Sequence, residues 1–391
     1  MFYVRLFVST MLAAGSGFVP MTPIGAECIP VMLTVEGEDE LAESAYGQLK
    51  NDIDFSGLLV TADDGYVEVD VSVDRDVDGY RLTARVLSGG EPLMGRDYTG
   101  SNFYSICHAF ADDLVYDLTG EPGIASSLLA YVNRSDDGYS LMVKSQDPRP
   151  PRTIMFDRDV ITTPAWSPDG DRIVFTSYRS GNADLWCYDF SSASAVKVLD
   201  VPGLNSSPAW SPDGSMVVLT LSKNGNSDIY MLDMRTSAVT RLTTRESIET
   251  SPCFSPTGRQ LVFTSDRLGH PQLYVMDSSG GTAMRVTRSH RYCDSPAWSP
   301  DGDRIAYTAR VGGDFHIFVM NADGSDVRQL TFEGTLNEDP VWGPTGRHIA
   351  FSSDMGGGRD IYVVELNGLT IRRLTAGGDN YCPTWAPLGF R

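Results

Sequence analysis

Five histidines, six cysteines and an excess of acidic over basic side chains are the groups available for chemistry in this sequence. Nucleophilic hydrolysis on a serine would call for Gly-x-Ser-x-Gly, the strained turn that exposes the hydroxyl, and that pattern is absent. A zinc or lyase-type metal centre needs histidines close together. His108, His270, His290, His316 and His348 are scattered and include no two-histidine metal spacing. Cys28, Cys107, Cys187, Cys253, Cys293 and Cys382 form no Cys-x-x-Cys pair, which excludes zinc-ribbon and thioredoxin-like motifs. Asp169, Asp213 and Asp301 recur, but each stands inside Ser-Pro-Asp-Gly, where a turn selects Asp for its own backbone bonding. No catalytic constellation and no cofactor or metal site emerges. The chemistry that remains is recognition.

Recognition groups do collect at one recurring place. Ahead of a series of proline–aromatic segments stand Leu204-Asn205-Ser206-Ser207, Ile248-Glu249-Thr250-Ser251, Arg291-Tyr292-Cys293-Asp294-Ser295, Leu336-Asn337-Glu338-Asp339 and Asp379-Asn380-Tyr381-Cys382, with residues 160–163 completing the set. They mix apolar and aromatic side chains with hydrogen-bonding groups, the blend of an interface core and rim. Tyr292, Tyr381 and Leu336 are expected as anchors, and Glu249, Glu338 and Asp339 as groups that set orientation.

The elements that position these residues follow from a repeat. Trp166, Trp210, Phe254, Trp298 and Trp342 recur every 44 residues, and Trp385 follows after 43. Most of these aromatics lead into a Ser-Pro-Asp/Thr-Gly turn, after which come an apolar strand, a Gly/Asn-rich loop, a second apolar strand and a shorter basic one. Four short strands per unit at this period make a β-propeller blade. The aromatic is then expected to pack between adjacent blades. The last aromatic segment lacks its second, third and fourth strands, whereas residues 128–133, 139–144 and 153–156 supply three strands without a first. The two ends therefore complete one blade, giving six blades in a closed ring with no exposed sheet edge. The connections from fourth to first strand all emerge on one face, around the channel mouth.

A smaller α/β domain comes first, over residues 27–122, with the propeller over 123–391. Residues 29–35 read as a buried strand, and Leu41, Ala45, Leu49 and Ile53 as the stripe of an amphipathic helix. Val67, Val69, Val71 and Val73 alternate along one strand, and Tyr80, Leu82, Ala84 and Val86 along the next, with Asp78-Gly79 between them. A third strand is expected over residues 92–98. Ser101 is the expected cap of a helix ending at Thr119, with Gly120 as its stop. Residues 1–26 have the basic start, short apolar run and small-residue end of a secretory signal. Cys28 and Cys107 either pair in an oxidising compartment or remain buried thiols. A net charge of −20 argues against nucleic acid or an anionic membrane as a partner.

The order of these parts, the Leu118-Thr119-Gly120 end of the second helix, the Ser-Pro-Asp-Gly turns and the final Pro383-Thr384-Trp385-Ala386-Pro387-Leu388 together resemble the TolB family, periplasmic components of the Tol–Pal system of Gram-negative bacteria. The resemblance spans nearly all of the chain after the expected signal. It implies a monomeric, non-catalytic adaptor that supports outer-membrane integrity and cell division. The propeller's channel mouth would bind the peptidoglycan-associated lipoprotein Pal, and the N-terminal domain would contact the inner-membrane Tol proteins through TolA. Ser207 and Thr250 match positions where the family meets Pal. The alternative is a secreted propeller enzyme, or a propeller whose channel holds a small ligand.

Overall fold

The computed structural model describes residues 28–389 apart from 38, 64, 66 and 369. The expected secretory signal lies outside the described residues. The chain divides into two compact units between Ala125 and Ser126.

The first unit holds β1 (Ile29–Gly37), α1 (Asp39–Phe55), β2 (Leu59–Thr61), β3 (Val67–Asp76), β4 (Gly79–Ser88), β5 (Glu91–Gly100) and α2 (Phe103–Thr119). Its sheet runs β2-β1-β3-β4-β5. The two pairings of β1 are parallel and the others antiparallel. A parallel pair needs a crossover, which α1 and β2 provide. Alternation buries Val67, Val69, Val71 and Val73 of β3 beside Leu82, Ala84 and Val86 of β4. Leu49 and Ile53 of α1 and Phe110 and Leu114 of α2 complete that core.

The cap of α2 is Asn102 rather than Ser101. Its side-chain oxygen accepts from the N–H groups of Tyr104 at 3.1 Å and Ser105 at 3.4 Å, from an extended backbone that suits the position. Gly120 ends the helix in a left-handed conformation, as its sequence position predicts. Cys107 is a buried free thiol in α2, so the pairing with Cys28 is not made. A polar contact joins the helices inside the apolar core. Asp52 meets His108 at 2.7 Å and accepts from Gln48 at 2.7 Å. Burial pushes the Asp52 carboxyl up, with His108 opposing.

The second unit is the six-bladed propeller that the 44-residue period predicts, each blade a four-stranded antiparallel sheet. The innermost strands are Ile161–Trp166, Asn205–Trp210, Glu249–Phe254, Cys293–Trp298, Asn337–Trp342 and Asp379–Trp385, in blades 1 to 6. Blade 6 takes its innermost strand from the C-terminal end and its other three, Leu128–Ser135, Gly138–Ser145 and Arg152–Asp157, from the start of the unit. Trp385 lies opposite Leu129 and Thr384 opposite Ala130, and the Ala386 N–H donates to the Leu128 carbonyl at 2.8 Å.

The repeated aromatics fill the seams between blades. Trp210 packs with Val174, Leu185 and Leu199 of blade 1 and with Val217, Leu219 and Tyr230 of its own blade. Trp166, Phe254, Trp298 and Trp342 occupy equivalent seams. Truncating a large buried aromatic of this kind costs about 3–5 kcal/mol. The Asp of Ser-Pro-Asp-Gly is accounted for in blades 1 and 2, where the serine hydroxyl donates to Asp169 and Asp213. Asp169 accepts from the Ser167 hydroxyl and the Asp171 N–H, while Gly170 turns at φ 82°.

Deleting residues 383–391 removes the part of the closing strand that faces Leu129 and Ala130 and leaves the inner side of Leu128–Ser135 partly unpaired. The expected outcome is aggregation and a broadened calorimetric transition. A truncated chain that melts as sharply and as hot as the parent contradicts closure by the two ends.

Candidate functional site

The predicted recognition residues do not sit on free loops. Most belong to the first turns of the innermost strands, which begin at Asn205, Glu249, Cys293, Asn337 and Asp379. The repeat sorts them into layers with different environments.

One layer is buried and structural. Asn205 donates to the carbonyls of Ala183, Val201 and Gly203, and Asn337 to those of Phe315 and Glu333. Asn380 donates to Asp360 at 2.8 Å. Glu249 is fully buried and accepts from Arg267, Ser247 and Ser265. The expectation that Glu249 orients a partner is therefore corrected: its carboxylate is committed to an ion pair within its own blade. An unpaired charge at that depth would be costly, which explains why an acid there comes with Arg267. The side chains of these four residues are spent on bonds within the propeller.

The next two layers are half-buried. Ser206, Thr250, Asp294, Glu338 and Tyr381 form one, with Thr162. Ser207, Ser251, Ser295 and Asp339 form the other, with Thr163 and Cys382. Every member of the second layer has a positive φ, from 47° at Thr163 to 54° at Asp339, and each directly precedes a proline. Register shifts mark a bulge there in each blade whose inner strand pairs with its second strand. A side chain held in the left-handed region costs of order 1–3 kcal/mol, and bulges redirect side chains at functional rims. Here the strain is repeated six times around one ring. Contacts pass from blade to blade along it: the Ser207 N–H donates to Thr163 at 3.3 Å, and Ser295 and Cys382 both reach Asp339 at 3.4 Å.

Chemically the ring is lopsided. Blades 1 to 3 contribute hydroxyls from Thr162, Thr163, Ser206, Ser207, Thr250 and Ser251. Blades 4 to 6 contribute Asp294, Glu338, Asp339 and the aromatic anchors. The Tyr292 hydroxyl donates to Asp294 at 3.3 Å, and its ring stands edge-on to Phe315 at 5.5 Å. Burial, reinforced by Asp294, pushes the Tyr292 phenol up to about 12. Tyr381 donates to the Ile161 carbonyl at 3.3 Å. Leu336 and Ile248 are 38% and 54% exposed, enough for each to present apolar surface, whereas Leu204 is half-buried and tied through its N–H to Ser222. Burial lifts the Asp339 carboxyl, with Arg359 opposing, and burial together with Asp339 lifts Glu338.

Sequence reasoning missed Arg359 and Phe315. Arg359 donates to Glu338 at 2.7 Å and lies 5.3 Å over the Tyr381 ring. The signal that finds them is the 44-residue offset, because Ala183, Ser227 and Pro271 stand at the corresponding places. Among the described residues no group of three or more His, Cys, Asp or Glu side chains is placed to hold a metal ion. Convergent aromatics, hydroxyls and carboxylates on a rigid rim suit binding.

The state of Asp339 gives this site a pH signature. Its folded carboxyl holds a proton more tightly than the unfolded chain, whose ordinary value is 3.8. That stabilising contribution is complete below the ordinary value and is lost as pH rises through the raised one. Asp339→Asn removes the loss. Unfolding free energies from denaturant titration should shift in the variant's favour as pH rises above the ordinary carboxylate value. The opposite trend contradicts the lifted carboxyl.

The family described as "TolB beta propeller domain" matches residues 115–389. A Tol-Pal system protein TolB from Methylococcus capsulatus is 37% identical over 173 residues, 43% of this chain and 38% of that protein. The one from Bordetella pertussis is 33% identical over 141 residues, 35% of this chain and 32% of its own length. The aligned stretches thus span well under half of these curated relatives. In three dimensions, the crystal structure of TolB from Acinetobacter baumannii superposes with a TM-score of 0.83 at 24% identity, covering 93% of this chain and 98% of that one. That likeness concerns the fold.

Proposed function

Since the chain belongs to the TolB β-propeller family, we propose that it is a non-catalytic periplasmic adaptor of the Tol–Pal envelope system, working as a monomer. Its propeller captures Pal at the channel mouth. Its N-terminal domain contacts the inner-membrane Tol proteins through TolA, and the pair of contacts supports outer-membrane integrity and cell division.

The observation that carries this reading is the contrast between the two faces of the ring. On the Ser-Pro-Asp-Gly face, Asp169 and Asp213 are spent on their own turns. At the mouth, Glu338 and Tyr381 stand where blades 1 to 3 carry Thr162, Ser206 and Thr250, and Tyr292 stands where other blades carry Val160, Leu204, Ile248 and Leu336. Aromatic anchors beside paired charges are the usual carriers of interface energy, and a rim fixed by six bulges enters the complex with little ordering left to do. The acidic surface also disfavours direct adsorption to anionic lipid or nucleic acid, which suits a protein that acts through protein contacts.

The anchors can be removed together. Tyr292→Ala with Tyr381→Ala should weaken Pal capture at least tenfold, about 1.4 kcal/mol, in a titration of purified proteins, with the fold retained by circular dichroism. Full-strength capture by the double variant, with loss on altering the turns at Asp169 or Asp301, would place the surface on the other face.

A further inference from the structure

The 44-residue repeat separates what the blade requires from what it merely permits. At the mouth end of the third strand stand Ala183, Ser227, Pro271 and Arg359 in blades 1, 2, 3 and 5. Their backbone carbonyls share one duty. They accept the N–H groups of Asn205, Glu249, Cys293 and Asn380, each opening or nearly opening the next inner strand, at 2.8–3.0 Å. Alanine, serine and proline all perform this duty, so the long cationic side chain of Arg359 is not needed for it.

What that side chain does is specific. Its guanidinium donates to Glu338 on the inner strand of blade 5 at 2.7 Å. It also covers the ring of Tyr381 on the inner strand of blade 6 at 5.3 Å, while the Tyr381 hydroxyl is held from blade 1 by the Ile161 carbonyl. A planar guanidinium can stack and bond at once, which an ammonium cannot do in the same way. We propose that Arg359 is a positioning residue of the mouth, holding Glu338 and Tyr381 together in the arrangement that the protein partner meets. This inference rests on the reading of the mouth as the surface that captures Pal.

Arg359 also sets the charge of that arrangement. Glu338 is faced by Asp339 on its own strand, Asp294 on the inner strand of blade 4, and Asp354 and Arg359 in the loop between the second and third strands of blade 5. Burial and the three carboxylates all favour the protonated acid, and the guanidinium opposes them. With Arg359 replaced by a neutral side chain, Glu338 takes up a proton at higher pH. A partner that meets the ionised carboxylate then loses the contact as pH falls. An arginine that merely stiffens the loop would lower capture by the same factor at every pH.

The experiment is a titration of Pal against the full chain and its Arg359→Gln, Arg359→Lys and Tyr381→Ala variants, at about pH 8 and about pH 6, with a melting temperature for each. Arg359→Gln is expected to weaken capture about fivefold at the higher pH, the loss of a single good contact, and further at the lower one. Arg359→Lys keeps the charge, so it should restore the flat pH profile while recovering only part of the affinity. Tyr381→Ala should weaken capture at both. If Tyr381→Ala weakens capture but Arg359→Gln binds like the parent at both pH values, the role of Arg359 is refuted and the mouth remains the site. Unchanged capture by Tyr381→Ala and Arg359→Gln alike overturns the reading of the mouth itself. An equal, pH-independent loss in the Gln and Lys variants, with lowered melting temperatures, assigns Arg359 to the fold and overturns the inference.

Discussion

Everything at the mouth depends on one strand pairing across the whole chain, that of Asp379–Trp385 with Leu128–Ser135. A propeller blade buries its faces only against its neighbours, so five complete blades and a broken sixth would leave two apolar seams open to water. The final strand removes both at once, because Trp385 and Ala386 are buried and the ring of inner strands becomes continuous. The recognition residues occupy those inner strands. Their geometry is therefore set by closure more than by any local turn.

Closure explains why the left-handed residues are tolerated. A single Ser or Asp at positive φ before a proline would relax in an isolated hairpin. In the ring Asp339 is held from both sides, by Ser295 of blade 4 and Cys382 of blade 6. The rim is thus a set of strained, over-determined positions rather than flexible loops. A surface of this kind can hold Tyr292 and Tyr381 at half burial with their hydroxyls already engaged. Strain accepted by the fold becomes order available for binding.

How much of this was legible follows from what a repeat encodes. The blades, their number and the closing strand could be read because each depends on Trp, Pro and Gly at a fixed offset, and those residues act through packing and backbone restriction. The alternating valines of β3 were legible for the same reason. The burial of each layer was not. Glu249 and Glu338 stand one position apart in the motif, in blades 3 and 5, yet one is sealed by Arg267 and the other is half-exposed beside Arg359. Neither arginine belongs to the motif, since each comes from the loop between the second and third strands of its blade. The bulge escaped notice because serine and threonine carry no signature of positive φ, unlike glycine. The α2 cap fell on Asn102 because Ser101 and Asn102 are both competent and only the backbone conformation decides.

The two faces of the ring make the sharpest division in this account, between turns explained by their own bonding and a mouth that is not. Hydrogen exchange of the full chain with and without Pal, resolved by peptide, bears on that division most directly. The account predicts slowed exchange over residues 291–295, 336–339 and 379–382, with smaller changes over 204–207 and 248–251, and none over the turns at 167–170, 211–214 and 299–302. Protection confined to the turns, with the inner-strand starts exchanging as in the free chain, would contradict it.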